Sequence, residues 1–202
     1  MKKTFFLVLA AALFSVPCIN AQKMVLKSGS FDFIKDQKIV LVQYDYSNLG
    51  VGKFEKEEDY IAKKMADYNK DEAGKGDKWK EAWYNDRPGR YEPKFELLFN
   101  ENMAARGLVC DKKVSDAKYT MMVHTTFIEP GFNVGVTRKP AYINVDVIFK
   151  EASSGKELAV LSVQNCPGRD AMGFDYDTGY RIEEAYAKLG KSVAAFINKN
   201  LK

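Results

Sequence analysis

The hydrophobic pattern is strongest between Ala117 and Asn165, where three successive segments alternate apolar and polar side chains with the period of two that a half-buried strand requires. In the first, Tyr119, Met121, Val123, Thr125 and Phe127 share one side, and Thr120, Met122, His124, Thr126 and Ile128 the other. In the second, Ala141, Ile143, Val145, Val147 and Phe149 oppose Tyr142, Asn144, Asp146 and Lys150. Ser153-Ser154-Gly155-Lys156 turns the chain into the third, Glu157 to Asn165. An earlier run, Lys38 to Tyr46, is apolar on both sides through Ile39, Val40, Leu41 and Val42, as a strand inside a sheet is. A short edge strand is expected within Gly29 to Ile34.

Helical periodicity fills the space between. Tyr60, Ile61, Met65 and Tyr68 recur at three to four residues. A break follows between Asp71 and Gly76, after which Asp77 is placed to cap a short helix carrying Trp79 and Trp83 and ending at Arg87-Pro88-Gly89. Pro93 suits a first helical turn, and Phe95, Leu98, Phe99 and Met103 form a stripe that stops at Gly107. The last helix, capped by Thr178, turns Ile182, Tyr186, Leu189, Val193, Phe196 and Ile197 inward. This order predicts an α+β fold, a two-layer sandwich with a mainly antiparallel sheet and helices packed on one face. Residues 22–202 are expected to form one domain with a helical insertion at about 55–92.

The first residues change where this domain is expected to work. Lys2 and Lys3, an apolar run from Phe5 to Phe14 and the junction Asn20-Ala21-Gln22 make residues 1–21 a signal peptide, too short in its apolar run for a permanent membrane span. The product is expected to be exported, periplasmic or extracellular. Lipidation at Cys18 is the rival reading, and Pro17 before it argues against that. Removing 21 of 202 residues leaves 181, and losing Lys2 and Lys3 lowers the formal charge from +4 to +2. No basic stripe survives to suggest nucleic acid or an anionic membrane as partner. Cys110 and Cys166 remain, either as a disulfide or as two small apolar residues packed apart.

The inventory of reactive groups is thin. With a single histidine, His124, zinc sites built from several histidines are excluded, and a serine triad would have to recruit that residue from mid-strand. Gly50-x-Gly52 follows a strand, but Glu55 stands where a dinucleotide loop places its third glycine. Asp175 and Asp177 alternate like calcium ligands, yet the bidentate position falls on Tyr186. No metal or cofactor is expected. The segment Gly76 to Arg87 is the most specialised. Trp79 and Trp83, with Asp86 and Arg87 beyond them, either line a recognition groove or pack the insertion onto the sheet edge, and helical spacing of aromatics favours packing. In the loop Glu129 to Pro140, Phe132 and Arg138 are the residues most available to a partner.

The stretch Ser115-Asp116-Ala117-Lys118-Tyr119-Thr120-Met121-Met122-Val123 and the turn Ser153-Ser154-Gly155-Lys156-Glu157-Leu158 resemble a group of bacterial envelope proteins. The group comprises the amino-terminal domain of the Tol translocation protein, the periplasmic domain of the curli secretion lipoprotein and the lipoprotein activators of peptidoglycan synthases. The resemblance covers about residues 38–46 and 108–199 and is one of topology. Trp79 to Arg87 and the Asn20-Ala21-Gln22 junction are similar to secreted proteins of Bacteroidetes-type bacteria. Together these imply a non-catalytic envelope protein that binds another protein or a cell-wall glycan. The binding surface would be either the side bearing Met122, His124, Tyr142 and Asn144 or the Trp79/Trp83 insertion. The alternative is a hydrolase of envelope carbohydrate using Asp86 or Asp175 beside the tryptophans.

Overall fold

The structure is a computed structural model that describes residues 21–133, 138–168 and 177–201. The expected leader with Cys18, the tip of the Glu129 to Pro140 loop and Asp175 lie outside these residues. The chain runs β1 (Lys23–Gly29), β2 (Ile39–Asp45), β3 (Gly50–Val51), α1 (Glu57–Asp71), α2 (Lys75–Asp86), α3 (Glu92–Met103), β4 (Val109–Asp111), β5 (Tyr119–Glu129), β6 (Phe132–Asn133), β7 (Arg138–Lys139), β8 (Tyr142–Glu151), β9 (Glu157–Pro167) and α4 (Thr178–Asn200). It is an α+β fold, built on a seven-stranded sheet in the order β1-β9-β8-β5-β2-β4, with β3 paired to the end of β5.

The β5-β8-β9 meander is antiparallel, and β1 extends it antiparallel along β9. β2 enters differently, parallel to both β4 and β5, because the helices α1 to α3 carry the chain back to the same end of the sheet before β4 begins. The expected edge strand is displaced. β1 occupies Lys23–Gly29, while Asp32–Ile34 form a 3-10 turn; Phe31 just before it packs edge-on against Phe149, and Phe33 within it packs tilted against the same ring.

The alternation read from the sequence sets the two sides. Val40 and Val42, Met121 and Val123, Val145, Val147 and Phe149, and Ala159, Leu161 and Val163 face the helices and are buried. A bulge between Thr125 and Phe127 then reverses β5, so Ile128 turns inward and Phe127 outward. Thr125 is fully buried on the helix side, where its hydroxyl meets the Tyr186 hydroxyl at 2.7 Å.

α4 presents the inner stripe its periodicity predicts, with Ile182, Tyr186, Leu189, Val193 and Ile197 fully buried. At about 2 kcal/mol each, such side chains make this contact a principal source of cohesion between the layers. α4 also crosses α3 closely. A Cβ on Gly190 would lie 2.4 Å from the Phe95 carbonyl oxygen, so no larger residue fits without separating the helices. Asp177 caps α4 by accepting from the Tyr180 amide, whereas Thr178 uses its hydroxyl to receive Arg181.

α2 likewise lacks the Asp77 cap. It starts from Gly74 in the left-handed conformation, and Asp77 lies inside its first turn. Nor does the chain stop at Arg87-Pro88-Gly89. Those residues form a π turn, Arg87–Tyr91, that joins α2 directly to α3, where Pro88 has no amide to donate to the preceding turn.

Candidate functional site

Cross-strand register places the outward side chains of the sheet in rows. Gln43, Met122, Ile148 and Val160 align across β2, β5, β8 and β9. The adjacent row reads Asp45, His124, Asp146, Ser162 and Val25. Met122, Ile148 and Val160 are only half-buried although each sits in the middle of a strand, and Val25 is 43% exposed. The helices lie on the opposite side, so among the described residues no element covers this face. Beyond the bulge Phe127 joins Tyr142 on it, the rings 5.6 Å apart.

Lys27 on β1 reaches across β9 to Asp146 at 3.1 Å. The Nε2 of His124 lies 3.1 Å from the Ser47 carbonyl oxygen and 3.8 Å from Asp45, with Asp146 directly opposite it in the ladder. Burial alone would raise the Asp45 carboxyl. The Ser47 amide and hydroxyl, aided by His124 and Lys150, outweigh burial and hold it below the usual carboxylate range. Asp45 is therefore anionic throughout the neutral range. Beside it opens a groove of about 510 Å³ lined by Val42, Gln43, Tyr44, Asp45, Glu92, Lys112 and Met122. Behind the groove the Tyr44 hydroxyl donates to the Glu92 carbonyl and to Glu96, and burial pushes the Glu96 carboxyl up.

Trp79 and Trp83 are placed elsewhere. They stack at 5.7 Å and pack against Tyr60, itself in contact with Phe54, while Tyr68 closes over Trp79. Trp83 is 5% exposed and donates its indole N–H to Glu57 at 2.6 Å. Glu57 is buried too, and it also receives Arg87, whose guanidinium lies over the Tyr46 ring at 4.2 Å. The pair thus packs the insertion, with Trp83 buried and Trp79 half-buried. A sequence signal existed in the spacing of Trp79 and Trp83, but nothing in it pointed to Glu57 as their polar anchor.

Asp86 bonds Arg90 at 3.1 Å, and Arg90 bridges to Asp177 at 2.8 Å, so the carboxylate assigned to the hydrolase reading is engaged in joining α2 to α4. A Cβ on Gly179 would lie 2.2 Å from the Asp86 carboxylate, which fixes how tightly α4's first turn sits on it. Burial raises the Asp86 carboxyl despite Arg90. Asp175, the other acid of that reading, is not among the described residues. Phe132, 41% exposed, and exposed Arg138 do stand on the surface, on the two-stranded hairpin β6-β7, away from the rows above.

Of the two readings of the cysteines, the structure shows the one in which they pack apart. Cys110 and Cys166 are free and buried. β4 and β9 are separated by three strands, so at about 4.8 Å per step the sulfurs are held some 19 Å apart, far beyond the roughly 7 Å limit for bridged Cα atoms. Burial raises both thiols, Cys166 to about 12, which makes them inert apolar side chains. The Gly50-x-Gly52 turn is also structural. Gly50 and Val51 form β3, paired with Phe127 and Ile128.

No family model matches the chain, and no curated protein does. Among solved structures, the PelC dodecamer from Paraburkholderia phytofirmans aligns at 11% identity with a TM-score of 0.41, covering 90% of this chain and 99% of that one. A point variant of the same dodecamer gives 11% identity, a TM-score of 0.40, and coverage of 90% and 98%. A likeness at this level carries no argument about what the present chain does. No helix among the described residues is long and apolar enough to cross a membrane.

Proposed function

We propose that this chain is an exported, non-catalytic envelope protein of the Bacteroidetes secreted type that binds another protein through the uncovered face of its sheet. One observation carries the reading. Met122, Ile148 and Val160 form an apolar row left half-exposed in mid-sheet, beside a row of charged groups that can orient a partner. The leader read from the sequence supports export.

A cell-wall glycan is the second reading of the same face, favoured by the Phe127–Tyr142 ring pair, because sugars dock on aromatic planes. A photoreactive residue at Ile148, compared in intact cells with one at exposed Lys191 on α4, tests both readings. A reproducible protein adduct from Ile148 alone is expected. A glycan adduct there would favour the second reading, and no adduct, or equal labelling from both sites, would sink the proposal.

A further inference from the structure

The groove beside Asp45 exists because β4 is short. β4 pairs only with Ile39, Val40 and Leu41, and the chain then turns away through Lys112. Among the described residues the outer edge of β2 from Val42 to Asp45 therefore has no neighbouring strand, although its inner edge continues along β5 as far as His124. The direction of the free backbone groups follows from the pairing. The Val109 amide donates to the Lys38 carbonyl at 2.9 Å, so even-numbered residues of β2 turn their peptide groups toward β4 and odd-numbered ones toward β5. Past Leu41, the Val42 carbonyl and both the amide and carbonyl of Tyr44 point into the vacant space. The same four residues, Val42 to Asp45, line the groove, with Glu92 and Lys112 as its walls.

Its lining is net acidic. Of the residues lining it, Asp45 and Glu92 are acidic, with Glu96 behind, and Lys112 is basic and already joined to Glu92 at 3.3 Å, while Lys150 acts on Asp45 from the neighbouring face. An added strand alternates its side chains, so one set would pass Asp45 on the uncovered face and the other Glu92 on the helix side. A lysine or arginine at either position meets a carboxylate. The volume of about 510 Å³ falls within the roughly 300–1,000 Å³ typical of ligand clefts.

We propose that an extended peptide segment of the partner, bearing lysine or arginine, adds as a strand to the free edge of β2 between Val42 and Asp45. This deepens the protein-partner reading above and rests on it. Backbone pairing at Tyr44 supplies attachment, and the carboxylates select the sequence. β1, the other edge of the sheet, contrasts with this site. It carries Lys23 and Lys27 and a bulge between Leu26 and Ser28, devices that discourage strand addition.

The experiment uses the full mature chain and an eight-residue synthetic peptide alternating lysine and valine, followed by fluorescence anisotropy and by amide hydrogen exchange. Saturable binding is expected, with exchange at the Tyr44 amide slowed at least about tenfold while that of Gln43, already paired with β5, is unchanged. Replacing lysine by glutamate, or N-methylating alternate amides of the peptide, should each abolish binding. The double variant Asp45→Asn, Glu92→Gln should weaken it about tenfold under conditions where its own unfolding curve shows it fully folded. Equal binding by the N-methylated peptide, or no change at Tyr44, overturns strand addition. Protection of Tyr44 by rising concentrations of the protein alone overturns it in favour of a second copy as occupant. An Ile148 adduct that persists in the double variant and resists competition by the peptide would leave the partner reading standing and remove this one. Loss of the Ile148 adduct in the parent protein would remove the partner reading itself.

Discussion

On the helix side of the sheet, Val145, Val147 and Phe149 are sealed beneath α4 and the aromatic 3-10 turn. On the other side of the same strand, Asn144, Asp146 and Ile148 stay half-exposed. The two sets alternate along one strand, yet among the described residues only the first is covered. Stability is therefore concentrated on one side, and the other is free to vary with a partner. The same contrast separates Trp83, an aromatic buried and bonded to Glu57, from Phe127 and Tyr142, aromatics left at the surface.

Substitutions should divide along this line. Phe99→Ala, at the fully buried contact of α3 with α4, is expected to cost about 4 kcal/mol in urea unfolding. A loss under about 1 kcal/mol would mean that the two helices do not close the core. Glu57→Ala strands the Trp83 indole N–H and the Arg87 guanidinium in a buried site, and should cost about 3 kcal/mol. If the tryptophans instead served a ligand, that variant would keep its midpoint.

Asp177→Ala should cost about 1 kcal/mol at pH 7 through loss of the α4 cap. Burial would raise this carboxyl, but the bond from Arg90 and the amides of Tyr180 and Gly179 lower it below its ordinary value. A lowered folded-state pKa gives stability that is present above the unfolded pKa and disappears as pH falls through the folded one. The difference between wild type and variant should accordingly shrink below about pH 4, and a difference constant down to pH 3 would contradict the assignment. Asp86, raised by burial, acts with the opposite sign and should stabilise as it protonates. The smallest effect is expected on the uncovered face, where Val160→Thr should move the midpoint by no more than about 0.5 kcal/mol.

The layers, the meander and the inner stripe of α4 were legible because each depends on a periodicity that burial imposes on neighbouring residues. The parallel course of β2 was not, since Ile39 to Val42 would look the same beside neighbours of either direction. The Thr125/Phe127 bulge escaped for a related reason: a pattern of strict alternation places Phe127 inward and Ile128 outward, and only the pairing with Asn144 shows the extra residue. Thr178 and Asp177 are both good caps, and the choice between them turns on Arg181, which occupies the Thr178 hydroxyl. As for the site, Met122, His124, Tyr142 and Asn144 were correctly grouped on one side by period alone. The groove at Asp45 was invisible because it comes from where β4 ends, a property of the pairing and not of the residues that line it.

The division of the sheet into a covered and an uncovered side is tested most directly by urea unfolding of Val147→Thr and Ile148→Thr, two neighbours on β8. A loss of about 2 kcal/mol is expected for the first, whose hydroxyl would be buried without a partner, and no more than about 0.5 kcal/mol for the second. Equal losses from the two, or a larger one at Ile148, would contradict it.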